Sequence, residues 1–216
     1  MELIHISYFT LLLSGVAGLV SIIRNGPFHL RVLAVLVAYT CVVELSLLFL
    51  KGLLEKGNNL PVYNFFMLVT YMGYAYFFRQ IIQSKTVRRL IEVFLYLYPV
   101  FWFYVVFFIF NIDEWNSYVY ISGGAFTILW AIAYCFGLFT SEDPVRFRYS
   151  GGFWIAIGLI FFYSCGLPYM GMFNYLTKTN SELANLLKIP LQISNIVMYL
   201  LFSYAFLCQT TNTRKS

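Results

Sequence analysis

The chain has 216 residues, 61% of them hydrophobic and 11% charged, with a mean hydropathy of +0.76. Soluble domains carry roughly 25% charged residues, so the composition excludes a soluble globular domain and points to a polytopic, all-α membrane protein. A formal net charge of +5 does not imply a nucleic-acid partner, because the basic residues fall in short connections between apolar runs, where they orient a chain in a bilayer.

Seven apolar runs follow one another, each near the roughly 20 residues that a helix needs to cross the hydrocarbon layer. They cover about 4–23, 30–50, 60–82, 90–110, 118–139, 152–176 and 188–208, and together they make residues 1–216 a single seven-helix membrane domain. The first run has no basic stretch before it and no clear A-x-A site after it, so it reads as a retained helix. Before the third, "NNLP" offers Asn58 or Asn59 as N-cap with Pro61 in the first turn, and "SEDP" does the same for the fifth connection. The sixth contains Gly158, Gly166, Pro168 and Gly171, which predicts a kink near Cys165 to Pro168. The seventh is expected to begin in "NSELANLL", an amphipathic lead-in that meets Pro190.

Lys and Arg divide unevenly between alternate connections. The first, third and fifth plus the tail hold ten, Arg24, Arg79, Arg88 and Arg146 among them; the other side holds only Lys51, Lys56, Lys178 and Lys188. The positive-inside rule then places the amino terminus outside and the carboxyl terminus in the cytoplasm, as an odd number of spans requires.

With that orientation, depth follows from the helical rise. Glu44, in "YTCVVELSLLFL", precedes Leu50 by six residues and so lies about 9 Å below the outer boundary, while Asn64 lies about 6 Å below it on the next helix. An ionised side chain at such depth costs about 2.5–3.5 kcal/mol on insertion scales and usually faces the bundle interior. The candidate ligand-binding set in the outer half is Glu44, Asn64, Tyr63, Tyr104, Tyr163, Gln192 and Asn195. Two readings of it stay open: an outward-facing pocket, or an interhelical polar clamp worth on the order of 1 kcal/mol per bond. Glu92 lies one turn from Arg88 near the cytoplasmic surface and reads as its ion-pair partner.

No catalytic constellation, metal site or cofactor is expected. His5 and His29 fall on opposite sides, which argues against haem held by two histidines. Lys188 starts a run where a retinal Schiff base needs a lysine deep within one. No G-x-S-x-G, H-E-x-x-H, C-x-x-C or pair of intramembrane acids occurs. Cys41, Cys135, Cys165 and Cys208 read as packing residues. A lone general base at Glu44 is the one enzymatic reading left.

Three resemblances arise from short motifs. "CGLP" at Cys165 to Pro168 and "NIVMY" at Asn195 to Tyr199 are similar to the C-W-x-P and N-P-x-x-Y motifs of G-protein-coupled receptors, but the Trp of the first and the Pro of the second are missing. The seven-span plan also resembles that of the PQ-loop and sugar-efflux transporters, with "PLQ" at Pro190 to Gln192 where they carry a Pro-Gln pair. Asn58, Asn59, Pro61, Tyr63 and Asn64, then Glu44, then Phe153, Trp154 and Gly158 match "NN-x-P-x-YN", a second-helix Glu and "FW-x-x-x-G". In these the chain resembles a group of uncharacterised seven-helix bacterial proteins, which implies a multi-pass location in the bacterial inner membrane and supplies no activity.

The leading functional expectation is a sensor or accessory module that takes a small ligand or lipid group near Glu44 and acts through a separate cytoplasmic signalling partner. The alternatives are a small-solute or proton-coupled transporter with Glu44 as the titrating group, and a structural membrane subunit. A tightly packed interior would remove the first two. A cavity reaching the cytoplasmic side through Tyr134 and Tyr204 would favour transport.

Overall fold

The computed structural model of the chain describes residues 2–53, 59–140, 150–179 and 181–212. Among the described residues there are eight α-helices and no strand: α1 Glu2–Ile23, α2 Phe28–Leu53, α3 Leu60–Ile81, α4 Lys85–Tyr104, α5 Ser117–Phe139, α6 Gly151–Gly171, α7 Phe173–Thr179 and α8 Ser181–Asn212. A π-helical turn, Val105–Ile109, extends α4. Six segments, in α1, α2, α4 with its π turn, α5, α6 and α8, are long and apolar enough to cross a membrane. The chain therefore has the make-up of a multi-pass membrane protein.

Capping explains where several helices begin. Ser84 accepts from Val87 N at 3.5 Å, so α4 starts at Lys85, a turn before the apolar run that announced it. Asn116 accepts from Val119 N at 3.2 Å and opens α5. The expected cap at Asn59 is not made: Asn59 has helical backbone angles, φ −85° and ψ −4°, and its side chain caps nothing, although Pro61 does occupy the first turn. Asn58 and "SEDP" lie outside the described residues.

One expectation about helix interruptions needs correction. The sixth run does not continue to 176: α6 passes through Pro168, ends at Gly171 and breaks at Met172, after which α7 starts. The last helix does begin within "NSELANLL": α8 runs unbroken from Ser181 through Pro190. Proline removes only its own N–H bond to the residue four back, and neighbouring turns hold the helix together there.

The helices form a closed ring in the order α1, α2, α3, α5, α6, α8, with α8 returning to α1, while α4 packs outside the ring against α3 and α5. Small residues let the ring close. A Cβ on Gly18 of α1 would lie 3.0 Å from the Ala34 Cβ of α2, and one on Gly123 of α5 would run into the Tyr71 ring of α3. At the α3–α4 turn, Arg79 meets Glu92 with Nη2–Oε1 at 2.8 Å and Nε–Oε1 at 2.9 Å. Arg88, the expected partner of Glu92, donates instead to the Ile82 carbonyl of that turn. Arg79 reaches Glu92 because the tight turn brings the end of α3 alongside the first turns of α4.

The opposite end is held by asparagines. Asn64, 1% exposed, donates from Nδ2 to the carbonyls of Ile112 at 2.8 Å and Glu114 at 2.9 Å, and its backbone carbonyl accepts from Trp102 Nε1 at 2.9 Å. Asn174 Nδ2 donates to Trp115 O at 2.8 Å, and Trp115 Nε1 and Ser117 Oγ donate to Met170 O at 3.1 and 3.2 Å. The 110–116 connection is thus clasped to α3 on one side and to α6 and α7 on the other.

Replacing Asn64 by Leu strands two carbonyls of that connection and is expected to cost about 2–3 kcal/mol, measured by denaturant unfolding in detergent, with faster proteolysis within 110–116. Gly123→Ala is expected to lower stability by about 1–3 kcal/mol through the clash with Tyr71. Gly137→Ala on the same helix, where an added Cβ meets nothing within 4 Å, should be neutral or stabilising by about 0.5–1 kcal/mol; equal effects at the two positions would contradict the packing described.

Candidate functional site

A cavity of about 380 Å³ occupies the middle of the ring, walled by α2, α3, α5, α6 and α8. Helical spacing explains which side chains face it. On α3, Tyr63, Met67, Thr70 and Tyr74 recur at intervals of three or four and share one face; on α2 the same spacing sets Thr40 above Glu44, and on α8 it sets Asn195 beside Tyr199. Leu60, Trp115 and Phe173 line the cavity at the clasped end. From Leu60 to Tyr74 the α3 wall extends about 21 Å.

Tyrosines dominate the deep half. Tyr71 and Tyr163 have ring centroids 5.7 Å apart, Tyr74 and Tyr163 6.3 Å, and Tyr120 and Tyr163 6.0 Å. The Tyr71 hydroxyl donates to the Tyr120 carbonyl at 3.2 Å. Glycines make room for this cluster: a side chain at Gly123 would collide with the Tyr71 ring, and one at Gly166 with the Tyr120 hydroxyl. One turn further along α3 and α8, the fully buried Phe77, Phe78, Phe202 and Phe206 fill the interior. They form a floor.

Two hydroxyls in the wall have no hydrogen-bond partner among the described residues: Thr70 Oγ1 and Tyr120 Oη, each on a residue 6% exposed. Both atoms are closed to water, and the Tyr120 hydroxyl packs against Gly166, so they are unsatisfied parts of the wall and not groups open to the cavity. Glu44 is half-buried, and its nearest donor is the Tyr63 hydroxyl, 3.5 Å from Oε2, a long contact by hydrogen-bond standards. On its other side lies a second cavity of about 140 Å³, bounded by Ser7, Tyr8 and Gln192. Glu44, Asn195 and Tyr199 line both cavities and make the partition between them.

Of the residues picked out in the sequence, Glu44, Tyr63, Tyr163 and Asn195 come together around the large cavity, and Gln192 lines only the small one. Asn64 does not reach Glu44, because its side chain is spent on the clasp. Tyr104 is 56% exposed and stacks on Phe108; it misses the cavity because α4 lies outside the ring. Ser122 and Ser194 turn their hydroxyls back onto carbonyls of their own helices. Sequence reasoning passed over Tyr71, Tyr74, Tyr120, Tyr199 and Thr70. The signal was present in the spacing of Tyr63, Thr70 and Tyr74, but aromatic residues in a membrane chain are first read as interface anchors or packing.

Comparison of the chain with protein-family models, with curated proteins and with solved structures finds no match.

Proposed function

We propose that the chain is a seven-span membrane protein that binds a small ligand or a lipid group in the ring cavity, from the outer side, and acts as a sensor or accessory module on a separate cytoplasmic partner. The observation that carries binding is a cavity of about 380 Å³ inside the ring, with the weakly engaged Glu44 carboxylate in its wall. A purely structural subunit would be expected to close its interior. Transport is the weaker reading, since the phenylalanine floor lies beyond the tyrosines and neither Tyr134, bonded to Ser150, nor Tyr204 lines the cavity.

The seventh span in this proposal is α3. Its 22 residues extend about 33 Å, enough for a hydrocarbon layer of roughly 30 Å. It packs against α2, α4 and α5, so its polar side chains meet protein, where a membrane helix tolerates them. Seven spans put the termini on opposite sides, and the distribution of Lys and Arg then puts the amino terminus outside and the cavity mouth with it. Signalling would run along α6, which contributes Tyr163 and Met170 to the wall and begins directly after the fifth connection. It requires a ligand that prefers one arrangement of α6 over another.

Reporter domains fused to either end test the topology: opposite-sided activity is expected, and same-sided activity would mean that α3 does not span. A thermal-shift screen of lipids and small metabolites tests binding. A ligand at a hundred times its Kd stabilises by about 2.7 kcal/mol. Thr70→Phe, which fills the cavity and removes one unpartnered hydroxyl, should weaken that ligand at least tenfold. A screen with no stabiliser sensitive to Thr70→Phe would overturn the reading.

A further inference from the structure

We infer that the ligand of the ring cavity carries an organic ammonium group, seated between the Glu44 carboxylate and the surrounding tyrosine rings; the inference rests on the binding reading above and adds the ligand's chemical class.

Charge is the first argument. Among the described residues, Glu44 is the one charged residue lining either cavity, and no Lys, Arg or His faces it from the walls. Among the described residues the ion pair is Arg79–Glu92, at the other end of α3, so the protein supplies Glu44 with no counter-charge there. Its long contact to Tyr63 leaves it able to accept stronger donors. An anionic ligand would meet a carboxylate with nothing to balance it.

The second argument is the wall itself. Ten of the eighteen lining residues are aromatic, six of them tyrosines. The faces of aromatic rings carry negative potential, and cages of such rings select quaternary and alkylated ammonium ions. Tyr63 and Tyr199 flank Glu44, and Asn195 adds an amide beside them. Deeper, Phe162, Met67 and Met198 offer an apolar bed for the body of the cation. A volume of about 380 Å³ falls in the range of small-molecule sites. The same chemistry could arrive as a free amine or as the ammonium headgroup of a lipid.

The test uses the full chain in maltoside micelles and measures Kd by calorimetry for choline and for benzyltrimethylammonium. The uncharged isostere of choline, 3,3-dimethylbutan-1-ol, and the anion 3,3-dimethylbutanoate serve as comparisons. At least one cation is expected to bind tenfold or more tighter than the isostere, the anion is expected not to bind, and Glu44→Gln should weaken the cation at least tenfold while leaving the isostere unchanged. If Glu44→Gln does not fold, the comparison of cation with isostere on the unaltered chain decides. Equal or tighter binding of the isostere, or indifference of the cation to Glu44→Gln, would overturn the ammonium assignment and leave cavity binding standing. Binding by neither cation would overturn the assignment too, and cavity binding falls with it only if the broader screen also lacks a stabiliser sensitive to Thr70→Phe. Nanodiscs separate the two sources. A probe Kd raised tenfold by phosphatidylethanolamine, relative to phosphatidylglycerol alone, assigns the site to a lipid headgroup; an unchanged Kd assigns it to a free amine.

Discussion

Asn64 reaches from the first turns of α3 to two carbonyls of the 110–116 connection, and Asn174 reaches a third from α7. Irregular backbone near a membrane must find hydrogen-bond partners within the protein, and these amides supply them. Much of the architecture follows from that constraint. The connection is held between α3 and the α6–α7 break, so Trp115 lines the cavity beside Leu60 and Phe173. Trp102 closes the same network from α4 by donating to the Asn64 carbonyl. With α4 fastened to the back of α3 in this way, the cavity is left to the other helices.

The cavity persists because of how large and small residues are paired. Tyr71 takes the space left by Gly123, and Tyr120 points its hydroxyl at Gly166. Rings placed this way lie across the bundle with their edges and faces against one another, at centroid distances near 6 Å, favourable geometry for aromatic pairs. They brace the walls apart. The phenylalanines a turn further in pack without polar atoms, so the change from tyrosine to phenylalanine along α3, from Tyr74 to Phe77 and Phe78, marks where the open interior gives way to a dry core.

Much of this was legible in the sequence, and the losses have physical causes. The apolar runs located the helices, and the cost of a charge in lipid correctly turned Glu44 inward, next to Tyr63 on the neighbouring helix. Depth along a helix can be counted from its ends. Rotation about the axis and the identity of neighbouring helices cannot, and both failures came from there. Asn64 stood at nearly the depth of Glu44 but was turned toward a connection, and Tyr104 stood on a helix that the ring excludes. The start of α4 slipped for a different reason: Ser84 caps it before its hydropathy rises.

The position of Glu44 bears on whether the polar residues of this bundle act as glue. A polar clamp engages neighbouring segments at normal hydrogen-bond distance, as Asn64 and Asn174 do by donating to carbonyls of the 110–116 connection at 2.8 to 2.9 Å. Glu44 does the opposite: its contact with Tyr63 is 3.5 Å long, and it lies in a partition with a cavity on either side. The same bundle therefore contains both kinds of polar residue, distinguishable by geometry. Where stability is at stake the amides donate at short range, and where the interior is open the carboxylate is held in place without a close donor. A side chain left with unspent hydrogen-bonding capacity costs a membrane protein stability, and the proposed binding of a ligand at Glu44 would give that cost a function.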